Sequence, residues 1–355
     1  MRPTTIENLE KIVADAAASG AKLELRGGGT KADIGAPREA YTLDMTGFAG
    51  ILDYDPAELV LTAGAGTPLS EIEAAIAERG QMLAFEPYGE GATIGGIVVA
   101  GVSGSRRLSR GPVRDHLLGF KAVSGRGEAF VGGAKVFKNV TGYDLPKLIA
   151  GSWGRLAALT EVTLKVLPRP PMTLTLVVDN LQPTDATEFM STAMGSDADV
   201  AAAAHEPGMT AIRLEGFGPS VEERRRKLER MAFMRAVAED QARALWARLR
   251  SPLPHEEILW RINIPPSRAA DFVAGQRGSW LMDWAGGLIW LTSDNATAVR
   301  QAAEAMGGHA FLARAPEAFR RAVPTLHPQP KGVAALEQRV RDAFDPMGVF
   351  ETGRF

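Results

Sequence analysis

The residues best placed to do chemistry lie in two glycine-rich stretches. The first, Arg26-Gly27-Gly28-Gly29-Thr30-Lys31, follows an alternating segment, Lys22–Arg26, that reads as a strand. A strand entering consecutive glycines exposes successive backbone N–H groups, a concavity suited to phosphate oxygens. The spacing is neither the G-x-G-x-x-G of dinucleotide-binding βαβ units nor the paired GK[ST] of nucleoside triphosphatases, so both readings lose support. Taken alone, these six residues are equally well a plain tight turn. The second stretch, Phe85–Arg114, carries glycine at positions 89, 91, 95, 96, 101, 104 and 111, with Ile94, Ile97, Val98, Val99 and Val102 among them. A run this apolar is no solvated linker, and structureless loops beyond about 12–15 residues are uncommon unless functional. It reads as a buried segment whose bare backbone approaches a ligand.

Magnitudes join the two stretches. A ligand the size of a dinucleotide must offset about 4–15 kcal/mol of association cost. Each hydrogen bond to a charged group returns about 1.5–3 kcal/mol, so Gly27–Lys31 alone breaks even at best. Amides from Gly91–Gly96 and Gly101–Gly104, with burial of a large ring system, make tight binding feasible. A pyrophosphate held between two loops is the natural reading.

Other chemistries find less support. The chain has no cysteine, which excludes disulfides, thiolate zinc sites, iron–sulfur ligation and cysteinyl-flavin links. The five histidines, His116, His205, His255, His309 and His327, stand singly and read as surface or packing residues rather than metal ligands. In Arg114-Asp115-His116 a carboxylate could orient the imidazole, although capping or packing is the better reading. No Ser–His–Asp or paired-carboxylate arrangement for hydrolysis stands out. Trp260-Arg261 and Trp280–Trp290 could line a pocket, but their spacing already suits strand packing. The Arg224–Lys227 cluster lies beside Glu222, Glu223 and Glu229, as on a solvated helix face. With a net charge of −2 there is no nucleic-acid footprint. No apolar run approaches the ~20 residues of a membrane span, and the acidic, amphipathic N-terminal stretch is not a secretory signal, so a cytoplasmic location is expected.

The elements around these residues follow from periodicity and turn chemistry. At 355 residues, two domains are expected. Thr4 and Glu7 form a capping box before Ile6, Leu9, Ile12 and Val13 at helical spacing. Strands are predicted near Tyr41–Met45, Gly50–Tyr54 and Leu59–Ala63. Thr67-Pro68 then opens a helix to about Arg79. Leu117–Ser124 and Glu128–Val131 form a hairpin. From Val136 onward come a short helix at Leu145–Ala150 and a strand at Leu159–Leu167. Pro168, Pro170 and Pro171 mark the best domain boundary. Beyond them, Leu174–Val178 reads as a strand, and Ser220 with Glu223 caps a helix predicted to run to Leu249, ended by Ser251-Pro252. Ile258–Ile264 is a strand, and Trp280–Trp284 pairs with Leu288–Thr292 in a hairpin. A last helix presents Val333, Leu336, Val340 and Phe344 on one face and stops at Asp345-Pro346. The expected division is 1–170, 171–312 and a returning segment, 313–355.

Four motifs in order carry a family resemblance: RGGGTK at 26–31, GATIGGIVVAGVSG at 91–104, SRGPVRD at 109–115 and GYDLPKLIAGSWGRLAALTEVTLKVLP at 142–168. They resemble the FAD-binding fold of the vanillyl-alcohol oxidase superfamily, and the tail AFDPMGVFETGRF resembles its returning C-terminal segment. The resemblance implies an α+β chain: a two-subdomain PCMH-type FAD-binding fold with a smaller α+β cap domain of the FAD-linked oxidase C-terminal type. Within the superfamily, the short length and GQMLAFEPYGEGATIGG at 80–96 are most similar to the FAD-binding E subunits of bacterial glycolate oxidases. Such subunits work with a larger catalytic flavoprotein D subunit and an iron–sulfur F subunit. A role in passing electrons from 2-hydroxyacid oxidation to the iron–sulfur partner is implied, against two competitors: a structural FAD, or a self-sufficient flavin oxidase.

Residue roles follow from the same resemblance. Gly27, Gly28, Gly29, Thr30 and Lys31 would wrap the pyrophosphate. Pro87, Gly91, Ala92, Thr93, Gly95 and Gly96 would complete the cradle and approach the isoalloxazine. Gly101, Ser103 and Gly104 would continue the pocket wall, with Gly111 near the flavin and Glu161 and Val162 on the adenine side. Thr30 stands where covalently flavinylated relatives place a histidine, which implies noncovalent FAD. The chain departs from the family pattern at Arg155 and Ala157, usually Thr and Gly, and at Glu351-Thr352, usually Asn-Pro. It also lacks the HxGDGNxH metal motif of the larger 2-hydroxyacid dehydrogenases.

Overall fold

The computed structural model describes residues 1–133, 143–250 and 257–355. The expectations placed on residues 136–142, on Ser251-Pro252 and on His255 lie outside them. The chain forms two compact units: Met1–Ser103, Gly111–Arg169 and Pro328–Phe355 make the first, and Gly104–Arg110 with Pro170–His327 the second. Each mixes helices with antiparallel sheet, an α+β architecture.

In the first unit, helix Ile6–Ser19 buries Leu9, Val13 and Ala16. Its cap is Thr5, one residue later than the capping-box reading, with its side chain accepting from the Asn8 N–H at 3.3 Å. Strand Leu23–Arg26 pairs in parallel with Tyr41–Asp44, so the first glycine turn leaves from a paired strand. A five-stranded antiparallel sheet follows in the order Ile51–Asp55, Val60–Gly64, Ala157–Lys165, Leu117–Ser124, Ala129–Gly133. The Thr67-Pro68 helix begins one residue late: Pro68 is the cap, and the Thr67 hydroxyl bonds the Gly50 N–H and the Gly64 carbonyl instead.

The second glycine stretch contains a helix, Ile94–Ala100, capped at its end by Gly101 in the left-handed region. Two glycines in seven residues oppose helix formation by about 1 kcal/mol each. Burial of Ile94, Ile97 and Val98 contributes about 1.5–3 kcal/mol per side chain and prevails. Gly95 is small because the helix presses on Ala65: its N–H donates to the Ala65 carbonyl at 2.8 Å, and a Cβ would lie 2.7 Å from the Ala65 Cβ.

The second unit is one eight-stranded sheet, in the order Arg235–Val237, Met172–Asp179, Met209–Gly216, Val200–Glu206, Trp280–Asp283, Leu288–Thr292, Leu259–Asn263, His309–Arg314. One core joins Leu176, Ile212, Trp260 and Met282 of the sheet to Met190 and Phe272 of its helices. A second joins Val177, Ala202 and Ala211 to Leu245, Trp246 and Leu249. The tryptophan hairpin forms in register, Leu281 opposite Trp290. Segment Gly104–Arg110 is built into this unit: Ser105 donates to the buried Asp283 carboxylate at 2.8 Å, and Arg106 donates to Glu215 at 2.7 Å.

The single long helix expected over 220–249 is corrected to two, Gly218–Leu228 and Glu239–Arg250. Between them Arg235–Val237 adds an edge strand opposite Thr175, Leu176 and Val177. Residues 229–238 hold no breaker; ladder bonds along that edge and burial of Met234 take the place of helical turns. Nor is Ser220 a cap; Phe217 takes that position, with Pro219 in the first turn.

Candidate functional site

The strand–turn at residues 26–31 and helix Ile94–Ala100 line one cleft in the first unit, with about 780 Å³ of empty space and an open mouth. The two glycine stretches touch at its floor. A Cβ on Gly27 would collide with Thr93 Oγ1, and one on Gly28 with the Gly91 carbonyl, so these two glycines let the loops meet each other. Gly29 differs: its φ is 74° and a Cβ there would meet nothing within 4 Å. It supplies left-handed backbone on the open side.

Apolar residues form the walls: Met45, Ala65, Val99, Ala100, Ala157, Leu159 and Trp153. Trp153 holds a left-handed conformation, φ 57°, which costs a non-glycine residue about 1–2 kcal/mol. Its N–H donates to the Val99 carbonyl at 2.7 Å, and that of Gly151 to Val98 at 3.1 Å. The helix end thereby fixes the indole at the cleft.

Charge is one-sided here. The lining holds one carboxylate, Glu24, against three cations, Arg26, Lys31 and Arg354, and Glu24 already faces Arg38 and Arg26. Burial, reinforced by Arg354, pushes the Lys31 ammonium down from 10.5 to about 8. An anion placed beside such a cation would favour its charged form.

Of the residues singled out in the sequence, Gly27, Gly28, Gly29, Thr30, Lys31, Ala92, Thr93, Gly95 and Gly96 line the cleft. The others lie elsewhere. Pro87 is buried, Gly91 packs by its carbonyl on Gly28, and Gly101 caps the helix against Gly151. The Ser103 hydroxyl accepts from the Val113 N–H at 3.1 Å, Gly104 belongs to the second unit, and Gly111 packs on Asp115. Glu161 pairs with Lys121 at 2.9 Å, and Val162 is fully buried in the core. Sequence reasoning missed Trp153 and Arg354. Trp153 was visible only as a turn residue, and Arg354 stands beside Lys31 only because the tail folds back.

The two departures from the family pattern meet each other. Arg155 forms ion pairs with Glu351 at 2.8 Å and Glu337 at 3.1 Å, while Ala157 lines the cleft. Four of the histidines lie among the described residues. His116 is buried against Phe85, and His205 shares a 2.9 Å hydrogen bond with Thr210, burial pushing it down to about 4. Burial, Arg261 and His327 lower His309, and His327 faces Glu304 at 3.2 Å. Among the described residues no cluster could hold a metal ion.

Known proteins agree with this geometry. Residues 1–132 match the FAD binding domain family. The chain is 37% identical over 342 residues to the glycolate oxidase subunit GlcE of Escherichia coli, covering 94% of this chain and 92% of that one. The chain belongs to the GlcE family. It is an FAD-linked oxidoreductase chain, and its cofactor is FAD. The D-lactate dehydrogenase of Archaeoglobus fulgidus is 32% identical over 48% of this chain and 38% of its own length. The glycolate oxidase subunit GlcD of Bacillus subtilis is 33% identical over 36% and 27%. A solved alkyldihydroxyacetonephosphate synthase superposes with a TM-score of 0.68 at 15% identity, over 99% of this chain and 76% of that one, and shares the PCMH-type fold.

The cleft of this GlcE-family chain fits the cofactor. Bare amides and two cations suit the diphosphate, and the apolar walls suit flat rings. None of the lining residues is His, Cys or Tyr, the side chains able to carry a covalent flavin link.

Proposed function

We propose that this chain is the FAD-binding subunit of a multi-subunit glycolate-type 2-hydroxyacid oxidase or dehydrogenase. It holds its FAD noncovalently and takes part in passing electrons to an iron–sulfur partner. The observation that carries this reading is the cleft: a cationic mouth, apolar walls and no His, Cys or Tyr among the lining residues. The loop at residues 27–31 presents its N–H groups and the Lys31 ammonium to the diphosphate. Thr93 and Gly95 hold helix Ile94–Ala100 against it, and Val99, Ala100 and Leu159 exclude water from the ring system. Bound flavin supplies two-electron acceptance and one-electron release.

The composition supports a shared task. A chain without cysteine cannot itself ligate an iron–sulfur cluster, so the next electron carrier belongs to a partner. Without the HxGDGNxH motif, and with no metal cluster among the described residues, a separate D-type flavoprotein subunit supplies substrate oxidation, and an F-type subunit the iron–sulfur centre. Among the described residues no helix is long and apolar enough to cross a membrane.

The test begins with the absorption spectrum. The purified chain is expected to be yellow and to release its colour on denaturation; a colourless chain in excess FAD removes the proposal's basis. Photoreduced chain mixed with the iron–sulfur subunit is then expected to reoxidise. No transfer would leave FAD a structural role, and glycolate turnover by this chain alone would make it a self-sufficient oxidase.

A further inference from the structure

The tail brings a third segment to the cleft. Arg354, 323 residues from Lys31, lines the same wall. Its Nε donates to the Ile34 carbonyl at 2.9 Å, and a terminal nitrogen donates to the carbonyl of Lys31 itself. The guanidinium lies 5.4 Å from the Trp153 ring centroid and 5.2 Å from that of Phe355. A Cβ on Gly35 would collide with the Arg354 side chain, so residue 35 is bare where the arginine crosses it.

The charges of Arg354 and Lys31 oppose each other. Arg354 stands close enough to Lys31 to disfavour its protonation. Two cations brought together in a partly desolvated cleft repel each other, and a doubly charged anion between them reverses the sign. A diphosphate has that charge, and the guanidinium N–H groups not given to Ile34 and Lys31 can donate to its oxygens.

We propose that Arg354 is the second cation of the FAD diphosphate subsite, and that residues 353–355 act as a strap across the cleft that the bound diphosphate secures. The proposal rests on the FAD reading and deepens it. It assigns recognition of the diphosphate to three separate parts of the chain: the first glycine turn, the segment at 91–96 and the tail. It also separates two ligand chemistries. FAD and inorganic pyrophosphate engage Arg354, whereas riboflavin, which has no phosphate, does not.

The experiment uses the full chain stripped of flavin and titrated with FAD or riboflavin by flavin fluorescence, with inorganic pyrophosphate as competitor. Arg354→Met keeps an unbranched apolar stem beside Trp153 and removes the charge. It is expected to weaken FAD and pyrophosphate binding by about 10–100-fold and to leave riboflavin within about twofold. Arg354→Lys, which keeps charge without the guanidinium, should fall between, and carries the same comparison if the methionine chain does not fold. Unchanged FAD affinity overturns the proposal. So does an equal loss of FAD and riboflavin, because the arginine would then only anchor the tail. A wild-type chain that takes up no FAD overturns the cofactor reading itself.

Discussion

Replacing Lys31 with methionine should stabilise the flavin-free chain while weakening its hold on FAD. The ammonium lies in a cleft with Arg354 and Arg26 nearby, and Glu24, the cleft's carboxylate, is engaged by Arg38 and Arg26. Burial first, and Arg354 second, bring its pKa from 10.5 to about 8. Below pH 8 the folded, flavin-free chain therefore holds a proton that the unfolded chain holds more willingly. The sign is that of a depressed basic group: between pH 8 and 10.5 the unfolded state binds more protons, so stability rises with pH across that window. The full penalty is present at neutral pH and amounts to about 2–3 kcal/mol, allowing for partial solvent screening. Urea denaturation of flavin-free wild-type and Lys31→Met chains at pH 7 and pH 10 reads it. At pH 7 the methionine chain should be more stable by about that amount, and by pH 10 most of the difference should vanish. With FAD bound, the diphosphate restores the proton's favour. FAD affinity of the wild type should then fall several tens-fold from pH 7 to pH 10, while that of Lys31→Met stays flat. Parallel stability profiles for the two chains would refute the reasoning.

Three further substitutions test collision, backbone strain and charge in turn. Gly28→Ala drives a Cβ into the Gly91 carbonyl and should destabilise the first unit by about 1–3 kcal/mol, with loss of FAD. Gly29→Ala meets no atom and should cost only the strain of its left-handed backbone, about 1–2 kcal/mol, while retaining FAD; equal loss of FAD by the two variants, read by flavin absorbance, would contradict the division of the glycines. In the second unit, buried His205 has a folded pKa of about 4 against 6.5 for the free group, so its contribution is present above pH 6.5 and is lost as pH falls through 4. His205→Phe should flatten acid unfolding over that window, measured by circular dichroism; an unchanged profile would show that the imidazole is not held neutral.

Local signals in the chain carried much of the first unit. The triple glycine after a strand, the hairpin expected from Leu117–Ser124 and Glu128–Val131 and the strand expected at Leu159–Leu167 follow from alternation and turn chemistry; the hairpin's second strand spans Ala129–Gly133, and the later strand spans Ala157–Lys165, two residues early. Three features were beyond such reading. Residues 229–238 look helical throughout, and their break depends on a strand edge supplied some sixty residues earlier. The left-handed Trp153 depends on carbonyls at the end of another helix. Arg155 and Glu351, which looked like two separate departures from the family, form one ion pair across 196 positions. In each case the deciding partner is remote in sequence, where periodicity has no reach.

The segment Gly104–Arg110 bears on how the protein is made. It belongs to the second unit, yet it leaves the ribosome well before that unit's sheet. Glu215, its side chain fully buried, receives Arg106, so the pairing waits while about a hundred residues are added, roughly 5–20 s at typical synthesis rates. Through that interval Arg106 and Ser105 must stay unsequestered. A gene fragment spanning 170–327 alone would encode every strand of that sheet and still leave Glu215 and Asp283 without Arg106 and Ser105. The two units are separable on paper but not in the order of manufacture: the second is completed by residues translated with the first.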